Sequence, residues 1–285
     1  MKICSFNDNR LGIVTGETVH DATEWFSKLI GPTGDAPGDP LIRALPSILA
    51  AAPPPLDGPG LPIAGLRLLS PVRRPTKIIA APDNYKAHLE EMRADPTASH
   101  GRAVGDIEKA GLFLKATSSL VGASAGIRQR FLERRTDYEV ELVAIIGRTV
   151  SDVAEEEALD AVAAYAVGLD ITLRGPEERS LRKSIDSYTV LGPYLTTADE
   201  IGVPDNIEIS LWQDGALRQR SSTADMVSSV ARLVSYSSRF YTLHPGDLLY
   251  TGTCAGVGPI RPGEVLVATA TRVGTMQVSV HAGQG

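Results

Sequence analysis

The stretch Asp137-Tyr138-Glu139-Val140-Glu141-Leu142-Val143-Ala144-Ile145-Ile146-Gly147 sets three carboxylates two residues apart and then turns apolar. Its alternation and β-branched content predict a strand, on which Asp137, Glu139, Glu141, Val143 and Ile145 share one face. Acids on a face that continues into Val143 and Ile145 belong at the rim of a core. Neighbouring carboxylates there stand ~7 Å apart and repel, the more so where water is scarce. Something positive is needed between them. A hard divalent cation is the simplest candidate, and a solvated strand edge facing salt water is the plain alternative. Upstream, His88 and Glu91 lie three apart in a stretch with helical character, so they share a helix face.

A second acid draws attention from a different element. Asp152 with Glu155 has the form of a capping box, and Leu159, Val162, Ala166 and Leu169 have the form of an apolar stripe. The pattern predicts a helix over 152–169 that delivers Asp170 at its far end. A carboxylate is disfavoured at a helix C-terminus, so Asp170 calls for a cationic partner, which Arg174 could equally supply.

The elements that must position these residues follow from turn and periodicity signals. Lys2 to Phe6 and Arg10 to Val14 read as a hairpin, Ala22 to Ile30 as a helix, and Leu41 to Ala51 as a helix containing Pro46. Leu66 to Leu69 with Pro71-Val72 reads as a strand leaving this unit, which sets a domain boundary at 72/73. Lys77 to Ala81 reads as a strand and Asn84 to Met92 as a helix. Asp95 to Asp106 is polar and reads as a mobile segment, followed by a short strand at Leu112 to Lys115. Leu191-Gly192-Pro193 leads into strands. Ile207 to Asp214 and Ala216 to Ser221 form a hairpin across Asp214-Gly215, and Asp225 to Ser238 forms an amphipathic helix. Leu248 to Thr251 is a strand, residues 251–258 a Gly-rich loop, and Glu264 to His281 one or two strands.

Composition excludes several classes. The chain has 285 residues, 43% hydrophobic and 22% charged, with a net charge of −6. It is large enough to bury a substantial core, and its pairs Arg73-Arg74 and Arg134-Arg135 are too small for a nucleic-acid footprint. Cys4 and Cys254 form no CxxC pair, which points to a reducing compartment. The N-terminus has no signal-peptide pattern, and no stretch nears the ~20 apolar residues of a membrane span, so a cytoplasmic protein is expected. The Gly-rich loop lacks the spacing of a dinucleotide fingerprint, and no GxSxG elbow is present. Cys254 has no evident activating base and reads as a small packed thiol.

Six motifs occur in one order: Asn84-Tyr85-x-x-His88-x-x-Glu91, Asp137-x-Glu139-x-Glu141-Leu142, Asp170-x-x-x-Arg174, Lys183-Ser184-x-Asp186, Leu191-Gly192-Pro193, and Pro245-Gly246-Asp247 followed by Thr251-Gly252-Thr253. The ordered set resembles the fumarylacetoacetate hydrolase superfamily over about residues 75–275. The resemblance implies an α+β fold: a mixed β-roll or distorted-sandwich catalytic domain (73–285) behind a small N-terminal α+β domain (1–72), assembled as a homodimer. It implies Glu139, Glu141 and Asp170 as ligands of one Mg²⁺ or Mn²⁺ per chain, a set whose oxygen-only character suits a hard ion. It further implies His88 and Glu91 as a catalytic pair that deprotonates water, and Lys183 as a catalytic donor to a developing oxyanion. Arg174, Thr253, Lys115 and Tyr85 are its substrate-binding candidates, with Arg174 equally readable as an ion-pair partner. The chain departs from the pattern at Leu169, where Asn is common, at Gly175-Pro176, where an acid is common, and at Cys254, where Pro is common. The glutamine often used to stabilise an oxyanion is not found.

The expected activity is metal-dependent hydrolysis of a C–C bond in a small 2,4-dioxo acid of the acylpyruvate or fumarylpyruvate type. Isomerisation or decarboxylation of a 2-oxo dicarboxylate, of the oxaloacetate or 2-hydroxyhepta-2,4-diene-1,7-dioate type, is the alternative. A catalytically silent dimeric binding protein is the alternative of another class. Nucleic acid and membrane are not expected partners.

Overall fold

The computed structural model describes residues 1–32, 34–54, 56, 59–94 and 107–283. The stretch expected to be mobile, 95–106, lies outside the described residues. The acidic run is extended as expected, but it forms two strands. Thr136–Tyr138 belongs to a three-stranded sheet with Thr172–Leu173 and Gly258–Pro259, whereas Val140–Ile146 lies inside a twelve-stranded sheet. Glu139 is the corner between them. Along Val140–Ile146 both faces are buried, with Val140, Leu142, Ala144 and Ile146 in one core and Val143 and Ile145 in another. The acids do sit at the rim of a core, that of Val143 and Ile145.

The helix expected over 152–169 is not there. Glu155–Ala161 is a 3₁₀ segment and Val162–Asp170 is a strand, paired on one side with Val140–Ile146 and on the other with Thr189–Thr197. Asp152 has φ +52° and makes no capping box. The reason is burial on both faces. A strand with neighbours on each side and cores above and below reads as a continuous apolar run, and such a run satisfies a helical stripe as readily as a strand. Asp170 therefore ends a strand, and the argument from a helix dipole does not apply to it.

The other described elements follow the expected ones with local changes. The N-terminal strands Lys2–Phe6, Arg10–Thr15 and Thr18–Asp21 form a meander, and the helices Thr23–Ile30 and Pro40–Ala50 pack beside it. Pro40 occupies the first helical turn behind the capping carboxylate of Asp39, which is why the second helix starts where it does. Lys2–Phe6 pairs with Thr189–Thr197, so residues 1–72 extend the same sheet that carries Asp170. Phe26, Ile42 and Ile48 share a core with Val143, Ile145 and Tyr250. Of the strand expected at 66–72, only Leu68–Leu69 pairs. The hairpin Glu208–Gln213 and Ala216–Ser222 turns through Asp214 and Gly215, both at positive φ. The helix expected from Asp225 begins at Val230, because Met226, Val227 and Ser228 are bridged or hydrogen-bonded to Tyr85 and Asn84 instead. Residues 264–281 form two strands, Val265–Ala270 and Gly274–Ala282. No helix among the described residues is long and apolar enough to cross a membrane.

Gly168 sits opposite Glu141 in the ladder, on the face of the acids. A Cβ there would stand 2.5 Å from the Tyr250 ring and 2.5 Å from Val143 Cγ2, so the ring occupies the space a side chain would need. Substituting Gly168→Ala overpacks this point and should cost about 1–3 kcal/mol, read as a fall of several degrees in the thermal unfolding midpoint. An unchanged midpoint would show that the ring is not held there by the absent side chain.

Candidate active site

Two adjacent strands change sheet at the same level, and that corner gathers the acids. Val140 pairs with Leu169 and Glu141 with Gly168, which places Asp170 across from Glu139; its amide donates to the Glu139 carbonyl at 2.9 Å. Residues directly opposite, and residues two apart, project from one face. Glu139, Glu141 and Asp170 are all buried, and one oxygen from each lies within 4.8 Å of the others. At an effective dielectric of ~20, a pair of carboxylates so placed repels by about 3 kcal/mol or more.

Part of the counter-charge comes from the protein. Lys183 Nζ donates to Glu139 Oε2 and Asp170 Oδ2, each at 2.6 Å. Lys115 Nζ donates to Asp170 Oδ1 and, at 3.0 Å, to the Tyr188 carbonyl. Arg174 donates to Asp137 Oδ2 at 2.8 Å and to Glu139 Oε1 at 3.1 Å, and Arg135 closes on the other side of Asp137 at 2.8 Å. Burial alone would raise the pKa of Glu139, but Lys183 and Arg174 outweigh it and hold the group down to about 2. Among the described residues no cation hydrogen-bonds Glu141. Burial first, and Asp170 next, push its pKa well above the usual carboxylate range, opposed by Lys183 and by the Gly252 amide that donates to it at 2.7 Å. Burial also lowers the pKa of Lys115, whereas that of Lys183 is raised by Asp170 and Glu139 against the pull of burial.

His88 and Glu91 meet as their spacing predicts. On the helix Lys86–Ala94, His88 Nδ1 lies 2.9 Å from Glu91 Oε2, and the other Glu91 oxygen accepts from the Gly256 amide at 2.9 Å. Glu91 is thus fixed at both ends, and it directs the imidazole. His88 is buried and close enough to be felt electrostatically at Glu139. Asn84 fastens the start of this segment: its amide group donates to the carbonyls of Ser228 and Thr251 and accepts from Ser228 N–H. Gly252, at φ +95°, passes so close that a Cβ would stand 2.6 Å from Asn84 Cβ. Glycine is needed there for both reasons.

The other candidates divide. Tyr85 is buried with its hydroxyl free of partners among the described residues. The Thr253 hydroxyl donates to the Val140 carbonyl at 2.8 Å and accepts from Gln219 Nε2 at 2.9 Å, so its hydrogen is committed to the protein. Arg174 forms the ion pair that was its alternative reading. Asp247 of the Pro245-Gly246-Asp247 motif is spent on structure, accepting from Thr76, Lys77 and His244. Of two positioning residues, one was not legible in the sequence. Gln219 on the distant hairpin accepts from Val140 N–H and donates to Thr253 and the Cys254 carbonyl, locking the loop to the acidic strand. Asn84 was visible only as part of a motif. Neither carries a local signal, because their partners lie 34 to 167 residues away.

Residues 77–281 match the family profile described as fumarylacetoacetate (FAA) hydrolase C-terminal. A maleylpyruvate hydrolase of Aquipseudomonas alcaligenes is 49% identical over 285 residues, covering 99% of each chain. The chain belongs to the fumarylacetoacetate hydrolase family. Among solved structures, a maleylpyruvate hydrolase from Sphingobium sp. SYK-6, in complex with manganese(II) and pyruvate, superposes over the whole of both chains with a TM-score of 0.83 and 33% identity. A fumarylpyruvate hydrolase from Pseudomonas aeruginosa, in complex with Mn²⁺ and pyruvate, covers 74% of this chain and 91% of its own, with a TM-score of 0.63 and 32% identity. The fold is the mixed α+β architecture of these family members.

The departures from the family pattern are accommodated locally. Leu169 points into the core that holds Val140 and Leu142, and so leaves the acid cluster unchanged. Cys254 is buried, and burial pushes its thiol up to about 12, as it does that of Cys4. A thiol with so high a pKa is almost wholly protonated at pH 8, and the thiolate is the reactive form. Iodoacetamide at pH 8 should therefore label neither cysteine of the native protein and both after unfolding. Native labelling of Cys254 would contradict its reading as a packed, inert side chain.

Proposed function

We propose that this chain is a divalent-metal-dependent hydrolase cleaving the C–C bond of a small 2,4-dioxo acid of the maleylpyruvate or fumarylpyruvate type. One observation carries the reading. Three buried carboxylates converge with two ammonium groups among them, and Glu141, which no cation among the described residues hydrogen-bonds, faces the same space as the others. The donor set is all oxygen, which fits Mg²⁺ or Mn²⁺, and Glu139, Glu141 and Asp170 would hold the ion. When bound, the ion supplies Lewis acidity at the 2-oxo acid end of the substrate and offsets the charge that develops as the C–C bond breaks.

The chain's own residues do the rest. Glu91 accepts a hydrogen bond from His88 Nδ1–H, which leaves the Nε2 lone pair to take a proton from water attacking the acyl carbonyl. That proton is available to return to the departing three-carbon fragment, so the reaction closes as acyl acid plus pyruvate. Lys183 stays charged between Glu139 and Asp170, and it is the donor placed to meet negative charge on the departing fragment. Tyr85 offers a hydroxyl with no protein partner among the described residues to a substrate oxygen. Arg174 and Thr253 act through the acids and the loop they hold.

The family match begins at residue 77, which supports a division of labour at about 72/73 even though the sheet runs across it. Two free cysteines fit a reducing cytoplasm, and the resemblance supports a homodimer. The test is turnover of maleylpyruvate, fumarylpyruvate and oxaloacetate with added Mg²⁺ or Mn²⁺. Acylpyruvate cleavage should vanish with EDTA, and His88→Ala should lower kcat by about 10²–10⁴ while the unfolding midpoint holds. Oxaloacetate decarboxylation that survives His88→Ala, with no acylpyruvate cleavage, would replace hydrolysis with decarboxylation.

A further inference from the structure

One turn before Lys183, on the short helix Arg179–Lys183, stands Arg179. Positions four apart share a helix face, and both cations reach one ring: Lys183 Nζ is 5.3 Å and Arg179 Cζ 5.5 Å from the centroid of Phe113. Lys183 spends its charge inward on Glu139 and Asp170. Arg179 does not. Its ion pair with Asp83 spans 4.0 Å, too long for a hydrogen bond, and its side chain is 21% exposed. Among the described residues the guanidinium donates no hydrogen bond at all.

Other arginines around the site differ. Arg174 is forked between Asp137 and Glu139, Arg134 donates to the Arg174 carbonyl and to Glu177, and Arg220 is forked on Glu208. A largely buried guanidinium with its donors unspent carries a desolvation cost, and its planar fork matches a carboxylate. Its place matters too. Phe113 opens the strand that carries Lys115, and Asp83 adjoins Asn84 and Tyr85 at the entry to the His88 helix. Arg179 therefore lies between Phe113, on the Lys115 strand, and Asp83, at the entry to the His88 helix, one helical turn from Lys183.

The geometry points to Arg179 as the residue that reads the far carboxylate of the substrate, which makes the preferred acyl group one that ends in a second carboxylate. This rests on the acylpyruvate reading above. The pyruvate end lies among Glu139, Glu141 and Asp170, the acyl chain runs outward past Phe113, and the guanidinium pairs with the terminal carboxylate through two N–H groups. Phe113 holds the guanidinium in plane, and Asp83 keeps it in position without consuming its donors.

The experiment compares full-length, Mn²⁺-loaded wild type with Arg179→Gln and Arg179→Lys. The first readout is the ratio of kcat/KM for maleylpyruvate to that for acetylpyruvate, which lacks the second carboxylate. The second is the ratio of calorimetric Kd values for pyruvate and 2-oxoadipate, which involves no turnover. Both ratios should fall about 10- to 100-fold in Arg179→Gln, chiefly through KM. Arg179→Lys, which keeps the charge, should recover only part of the loss because an ammonium cannot fork. Ratios within twofold of wild type in both variants, or a wild type that binds 2-oxoadipate no better than pyruvate, would overturn the assignment. A wild type that cleaves no acylpyruvate would sink the hydrolase reading alone, and the Kd ratio would still decide the role of Arg179.

Discussion

Mutual repulsion among Glu139, Glu141 and Asp170 is the constraint on which the site depends. Three carboxylates share a space less than 5 Å across, with Lys115 and Lys183 between them. Arg174 also reaches Glu139, but no cation among the described residues hydrogen-bonds Glu141, in surroundings where an isolated ion is costly. Glu141 registers the deficit, since burial and Asp170 both favour its neutral form. A divalent ion would supply the positive charge that Glu141 lacks, and an anionic 2-oxo acid would then be welcome there.

Rigid backbone maintains this balance. The corner at Glu139, the strand end at Asp170 and the Gly-rich loop all meet at one level of the sheet, and each is tied by hydrogen bonds through neighbouring chain. Thr253 and Gln219 bind the loop to Val140, Gly252 N–H binds Glu141, and Asn84 binds the His88 helix to Thr251. Below the acids, Tyr250 fills the space that Gly168 leaves and donates to the Val190 carbonyl. Reactive groups on strand ends and tight loops lose little freedom when substrate arrives, and that preorganisation is what electrostatic catalysis requires.

How much of this was legible in the sequence varied with the range of the interaction. Glu139 and Glu141 facing one space, and His88 with Glu91 on one face of a helix, follow from periods of two and 3.6, but the break at Glu139 that puts Asp137 on a separate strand does not. Asp170 was harder. Val162 to Leu169 is apolar at nearly every position, so a helical stripe can be read through it, and only the resemblance identified its acid as a ligand. The error was one of period, caused by a strand buried on both faces. Gln219, whose amide sits at the centre of the polar network, was invisible, because nothing near it in the chain announces Val140 or Thr253 as its partners. The N-terminal hairpin and helices were readable as elements, but their merger into the central sheet was not, since strand pairing over 190 residues leaves no local mark.

The central claim is that the acid cluster is built for one hard cation, and a direct measurement is calorimetric titration of the metal-free protein with Mn²⁺. One ion per chain should bind, and Asp170→Asn or Glu141→Gln should weaken that binding at least 10-fold with the circular dichroism spectrum retained. A wild type that takes up no Mn²⁺, or variants that bind it as tightly as wild type, would contradict the account.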